Sequence, residues 1–238
     1  ADSPPMGWDR GACPPDAPDR MDDYVAALAP DAILHAAVPS TGTGRPDEGH
    51  LVNVGWTTAL ARIAMTRRLD FTYISSVMVF TDKAAGPFDP WSQPDAPEGY
   101  GFEKRQGERT ALHTHPGARV VRLGWQIGDQ PEGNNMIAFF AQKMREQGRI
   151  TASRRWYPAC SFLADTAAAI CDTFALPPGL YQVNGNTSWN FYDIAAALNR
   201  LHGGSWVVEA TDDFVYDQRM RDARLATVPL NHRLPDLP

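Results

Sequence analysis

Phe71-Thr72-Tyr73-Ile74-Ser75-Ser76-Val77-Met78-Val79-Phe80, followed after a loop rich in Pro, Gly and Asp by Tyr100-Gly101-Phe102-Glu103-Lys104, is the stretch from which the rest of the chain can be ordered. The apolar run predicts a buried strand over 71–80, and the following segment predicts a helix over 100–113. Tyr100 and Lys104 are four residues apart, so on that helix they share a face, one turn from each other. An ammonium beside a phenol favours phenolate. The pair therefore predicts a Tyr100 pKa lowered from roughly 10 towards working pH, as a general acid/base requires. Ser76, at the end of the neighbouring strand, is expected to hydrogen-bond a substrate carbonyl or hydroxyl and hold it against Tyr100. The competing interpretation is an ordinary surface Tyr/Lys pair. The chain has three lysines (Lys83, Lys104, Lys143) and 7 tyrosines among 238 residues. Random placement would give roughly 0.09 pairs at this spacing, which favours the chemical interpretation.

Working outward, strand and helix alternate. A short helix over 21–28 is stopped by Pro30, and Asp31 to Ala37 has the continuous apolar core of a parallel strand, with His35-Ala36-Ala37 at its carboxyl end, where open α/β sheets bind ligands. Leu51 to Arg68 carries Val52, Trp56, Ala59, Leu60 and Ile63 on one stripe and predicts a long helix, with Asn53 near its start. After the Tyr/Lys helix, Ala118 to Leu123 is another buried strand, leading to Gly124-Trp125. A Trp just beyond a strand end would be awkward in a core and suits the wall of a ligand site. Asn134 is expected to cap a helix, Ser188 another. Helix 162–174, a strand and turn over 181–185, and a last strand over 206–209 complete the pattern. Arg154 and Arg155, beside Trp156, offer forks that suit phosphate oxygens. His113 and His115 diverge on a helix end, and no metal site is expected. Asn186-Thr187-Ser188 matches a glycosylation sequon, which is discounted in the absence of a secretory signal. The fold class is therefore α/β, a doubly wound parallel sheet.

Five pieces in order, His35-Ala36-Ala37, Asn53-Val54-Gly55, Ile74 to Phe80, Tyr100 to Glu108 and Val121-Arg122-Leu123-Gly124-Trp125, resemble the extended short-chain dehydrogenase/reductases. Within that superfamily they look most like the dTDP-4-dehydrorhamnose reductases, over nearly the whole chain. The resemblance implies a Rossmann-like domain over 1–125, incomplete at its N-terminus, to which 161–183 return. It assigns 126–160 and 184–238 to a small substrate-binding lobe. It further implies NADP or NAD as cofactor and reduction of the 4-keto group of a nucleotide-linked deoxysugar, with Ser76, Tyr100 and Lys104 as the catalytic set. Asp9, Arg10, His35, Ala36, Ala37 and Ser75, together with Tyr100 and Lys104, are the cofactor candidates. Trp125, Val77, Met78, Arg154 and Arg155 are the substrate candidates. Where the reductases typically carry Asp and Tyr after the catalytic hydroxyl, this chain has Val77 and Met78, so an epimerase/dehydratase and a non-catalytic binding or regulatory protein remain alternatives. Asp9 would suit a ribose 2′-hydroxyl and Arg10 a 2′-phosphate, with a lean to NADP.

Such a fold also needs a first strand and a Gly-rich turn, neither of which this sequence supplies. Met6 to Arg10 corresponds to the second strand, and Ser40-Thr41-Gly42-Thr43-Gly44 is expected to be a loop. A trimmed N-terminus is the favoured explanation. A formal net charge of −6 argues against nucleic acid as partner. No apolar run reaches the ~18–20 residues of a membrane span. Cys13, Cys160 and Cys171 suit reduced thiols of a cytoplasmic protein. A homodimer is carried as one assembly.

Overall fold

A computed structural model describes residues 5–39 and 47–238. Its centre is a parallel sheet of four strands in the order β1 (Ala32–His35), β2 (Asp70–Ser76), β3 (Arg119–Leu123), β8 (Gly179–Val183). Ser76 pairs with Leu123, and Leu123 with Val183, so the carboxyl ends of three strands finish level. Period-2 alternation divides their side chains. Phe71, Tyr73 and Val120 pack under α3 (Thr57–Arg67) and α4 (Gly99–Thr114), in a core that includes Trp56, Leu60 and Ala111. Ile74, Val121, Tyr181 and Val183 instead meet Ala169 of α6 (Leu163–Thr173).

A second core lies beyond β3. It joins α5 (Met136–Gln147), the parallel pair β5 (Ile150–Ser153) and β9 (Val208–Thr211), and the strongly amphipathic α7 (Phe191–Leu201) through Phe140, Ile150, Ile194 and Leu198. Between the two cores, β4 (Trp125–Ile127) pairs with β7 (Cys160–Phe162), and β6 (Trp156–Tyr157) with β10 (Tyr216–Asp217). Among the described residues no helix is long and apolar enough to cross a membrane.

Several local expectations are corrected. The predicted strand over 71–80 stops at Ser76, the last extended residue of β2, because its hydroxyl accepts the Met78 amide at 3.1 Å and so starts a short 3₁₀ turn over Val77–Val79. After α1 (Pro18–Leu28), the predicted helix over 51–68 begins earlier, at Glu48, and runs as three pieces, α2 (Glu48–His50), a π-helical Leu51–Trp56, and α3. The wide turn frees the Asn53 carbonyl, which accepts from Thr57 Oγ1 at 2.8 Å and Tyr73 OH at 3.3 Å. The helix caps are Asn135 and Asn190, whose side chains accept from Ala138 N and Asp193 N, rather than Asn134 and Ser188. A cap must directly precede the first helical residue to reach the third amide. Asn186 is fully buried and donates to the Pro158 and Trp189 carbonyls, which closes the sequon to modification. Met6 to Asp9 forms no strand; the Asp9 carboxylate accepts from Gly11 N and Ala12 N and thereby closes a local turn. The loop expected over 40–44 lies outside the described residues.

Candidate active site

The level carboxyl ends of the sheet open onto a cavity of about 510 Å³. Ser76 reaches it from the end of β2 and Tyr100 from the first turn of α4. What brings α4 this close is glycine: a Cβ on Gly101 would lie 2.0 Å from the Met78 carbonyl, and one on Gly107 2.4 Å from both the Asn53 carbonyl and the Tyr73 hydroxyl. Backbone-to-backbone approach of this kind tolerates only glycine.

Lys104 lies one turn below Tyr100 and is 2% exposed. Its Nζ donates to the Ile74 carbonyl at 2.9 Å and stands 4.9 Å from the Tyr73 ring centre and 5.7 Å from that of Tyr100. Burial lowers the Lys104 pKa to about 8, against the carboxylates of Glu108 and Glu103, which raise it. The expected lowering of the Tyr100 pKa is not found. Burial pushes the phenol up from its ordinary value, and although the Ser76 hydroxyl pulls it down, desolvation wins; Glu103 raises it further. Tyr100 thus holds its proton, which is the state a proton donor needs.

Behind the strand end, Ser75 faces the opposite way from Ser76. Its hydroxyl donates to Glu108 Oε1 at 2.6 Å, and the same carboxylate is gripped by Arg122 Nε and Nη2 at 2.7 and 2.8 Å, all of it buried. This pair braces β2 and β3 against α4.

Trp125 and Trp156 form the far wall, stacked at 6.1 Å and 23°, with Phe139 and Phe191 behind. Two polar atoms beside this apolar wall, Gln126 Oε1 and Trp156 Nε1, are buried without partners. Orphaned groups in native structures call for an explanation, and a bound polar ligand is one.

Of the sequence candidates, Ser76, Tyr100, Val77, Met78 and Trp125 meet at the cavity, and Lys104 lies directly beneath Tyr100. Others do not. Ser75 is committed to Glu108. His35 is 3% exposed, bonded through Nε2 to the Val52 carbonyl and wedged between Trp56 and Tyr73, and burial lowers its pKa to about 4. Its strand reaches the cavity instead through Val38 and Pro39, beyond Ala36 and Ala37. Asp9 is folded onto its own turn, and Arg10 Nη2 donates to the Val38 carbonyl at 3.0 Å. Arg154 and Arg155 are exposed on the turn between β5 and β6, outside the cavity lining. Sequence reasoning missed Gln126, Asn134, Trp156 and Gln218. Trp156 stood in plain view beside the arginines; Gln218 arrives from a distant segment and carries no local signal. His115 has both ring nitrogens engaged by backbone, at Leu69 O and Gly117 N.

Residues 6–226 match the family model described as RmlD substrate binding domain. Among curated proteins the chain is similar to the spore coat polysaccharide biosynthesis protein SpsK of Bacillus subtilis (strain 168), 26% identical over 161 residues covering 66% of this chain and 55% of that protein. It is similar also to methionine adenosyltransferase 2 subunit beta of Xenopus tropicalis, 26% identical over 180 residues covering 71% and 54%. The chain therefore spans about half the length of the curated relatives it matches. The dTDP-4-dehydrorhamnose reductase of Bacillus anthracis, crystallised with NADP, superposes with a TM-score of 0.81 at 17% identity, covering 98% of this chain and 88% of that one, and so shares the fold. With a match that runs through both cores and the cavity between them, the chain belongs to the RmlD substrate binding domain family.

Proposed function

We propose that this protein is an NADP- or NAD-dependent reductase of the 4-keto group of a nucleotide-linked deoxysugar. The observation that carries the proposal is the convergence of Ser76 and Tyr100 on one cavity, above a buried Lys104. Two named likenesses support it: the fold of an NADP-bound dTDP-4-dehydrorhamnose reductase and the sequence of a polysaccharide biosynthesis protein.

The residues present fit the nicotinamide-ribose end of a dinucleotide: Tyr100 supplies a hydroxyl at the cavity that would hold it, Lys104 an ammonium directly beneath that hydroxyl, and Val38 and Pro39 a wall. When bound, the nicotinamide supplies hydride. Ser76 orients the keto oxygen. Tyr100, kept protonated by its surroundings, gives its proton to that oxygen, and Lys104, charged below about pH 8, stabilises the phenolate left behind. The stacked Trp125 and Trp156 take the apolar face of a sugar ring, while Gln126 Oε1 accepts from a ring hydroxyl. Residues 1–125 with 161–183 form the nucleotide-binding part and 126–160 with 184–238 the substrate lobe; Ala169, Tyr181 and Val183 packing on the sheet and the separate core of the lobe support this division, while Phe162 packs in the lobe core.

A second reading, a non-catalytic binding or regulatory protein on the same fold, is favoured by Val77 and Met78 beside Ser76, where no acid or base stands, and the likeness to a protein named as a subunit, methionine adenosyltransferase 2 subunit beta, is in keeping with it. Turnover of NADPH with dTDP-4-dehydrorhamnose, read by absorbance, separates the two. The reductase should turn over, and Tyr100→Phe should lower kcat by about 10²-fold or more while weakening NADPH binding far less. NADPH binding with no turnover in either protein would leave the subunit reading standing.

A further inference from the structure

On the outer side of α4 lies a second cavity, of about 460 Å³, that shares no lining residue with the Tyr100 cleft. It is lined by Arg122 of β3, by Arg105, Glu108 and Arg109 of α4, and by the loop that carries Trp91. Arg122 is 2% exposed, and two of its nitrogens are spent on Glu108. The third, Nη1, is buried without a partner. Leaving a guanidinium N–H dry is costly, and a ligand oxygen would relieve it.

Charge favours an anion. Three guanidinium groups face one carboxylate, and that carboxylate already accepts from Ser75 and from both prongs of Arg122. Asp95, which is influenced by Arg105, has both oxygens held by the Thr81 amide and hydroxyl and does not line the cavity. Two positive charges are left in excess. A phosphate monoester, with a charge of about −1.5 to −2 and three acceptor oxygens, matches them. Size points to an ester rather than a free ion, since inorganic phosphate would leave most of the space empty. Trp91, 79% exposed with Arg224 stacked 5.5 Å from its ring centre, and Pro90, Pro94 and Leu112 offer flat apolar surface to the organic part. We propose that the Arg105, Arg109 and Arg122 cavity is a second binding site, separate from the active-site cleft, for a small phosphate monoester with a flat or apolar substituent.

Calorimetric titration with phenyl phosphate and with inorganic phosphate tests this. Phenyl phosphate should bind, and more tightly than inorganic phosphate. Arg105→Gln and Arg109→Gln should each weaken it by about tenfold or more. Trp91→Ala should bring phenyl phosphate down towards inorganic phosphate. Arg62→Gln, an exposed arginine elsewhere, and Tyr100→Phe in the other cleft should change nothing. Absence of binding at millimolar ligand would overturn the proposal. So would an affinity untouched by either glutamine in the cavity, or one lost equally in Arg62→Gln, which would mean bulk charge, or in Tyr100→Phe, which would mean the active site.

Discussion

The three titratable side chains His35, Tyr100 and Lys104 show how burial sets chemistry in this fold. In each, desolvation is the first cause and disfavours the charged form. For Tyr100 this keeps the phenol protonated; for Lys104 it leaves an ammonium that lets go near pH 8. Hence kcat should fall as pH rises through about 8, and Lys104→Met, which has no proton to lose there, should be slow at every pH and lack that limb. His35 makes a prediction about stability. Its pKa is 6.5 unfolded and about 4 folded, so between those values the unfolded chain binds more protons and stability rises with pH. The contribution is complete above about pH 6.5 and is lost as pH falls through about 4, on the order of 3 kcal/mol in all. Thermal unfolding scans at pH 7.5 and pH 5 should show a larger loss of Tm in the native protein than in His35→Phe, which gives up the Val52 bond at both pH values but titrates at neither. An equal loss in the two would assign the acid sensitivity to other groups.

At the level of the element, α4 decides where the site is, and glycine decides where α4 is. Gly107→Ala should gain about 1 kcal/mol from helix propensity and lose about 1–3 kcal/mol from overpacking. The second effect should win, because the new methyl would meet a backbone carbonyl and a buried tyrosine hydroxyl, neither able to retreat. A lower urea midpoint with unchanged m-value is the expected outcome, and a raised midpoint would refute the close approach. Much of this element was legible: the Tyr/Lys spacing needs only a helix, and the strand before it needs only an apolar run. What was not legible has physical causes. Ser75 and Ser76 are indistinguishable as a pair until the pleat points one to Glu108 and the other to the cavity. The π turn over Leu51–Trp56 leaves no periodic signature over six residues, and Asn134 and Asn135 differ as caps only by the register of the first helical amide.

For the whole molecule, alternation of strand and helix foretold the sheet and its parallel sense, but not how the two cores are joined. That join is made by residues far apart in sequence. Phe88 pairs through its backbone with the segment around Met220, its ring stacks on Phe80 at 3.9 Å, and Tyr216 donates its hydroxyl to the Phe80 carbonyl. Val77, Val79, Ala159 and Met220 complete this small apolar seam, and Gln218 of the same segment reaches the cavity edge. The cleft residues thus depend on the seam for their spacing: Ser76 and Tyr100 come from one side, Trp125, Trp156 and Gln218 from the other. Phe88→Ala should cost about 3–5 kcal/mol as a buried aromatic deletion, comparable with Leu198→Ala inside the second core at about 2–5 kcal/mol. The two should differ in form. Leu198→Ala weakens a core and should shift the urea midpoint with the m-value kept. Phe88→Ala weakens the coupling between cores, so its transition should broaden, with a lower apparent m-value and non-coincident fluorescence and circular dichroism curves. On the proposed reductase function it should raise KM for the sugar more than it lowers kcat, since Tyr100 and Lys104 keep their places on α4 while the opposite wall drifts. A sharp, coincident transition in Phe88→Ala would mean that the seam is filler and that the strand pairs β4 with β7 and β6 with β10 are enough to hold the halves together.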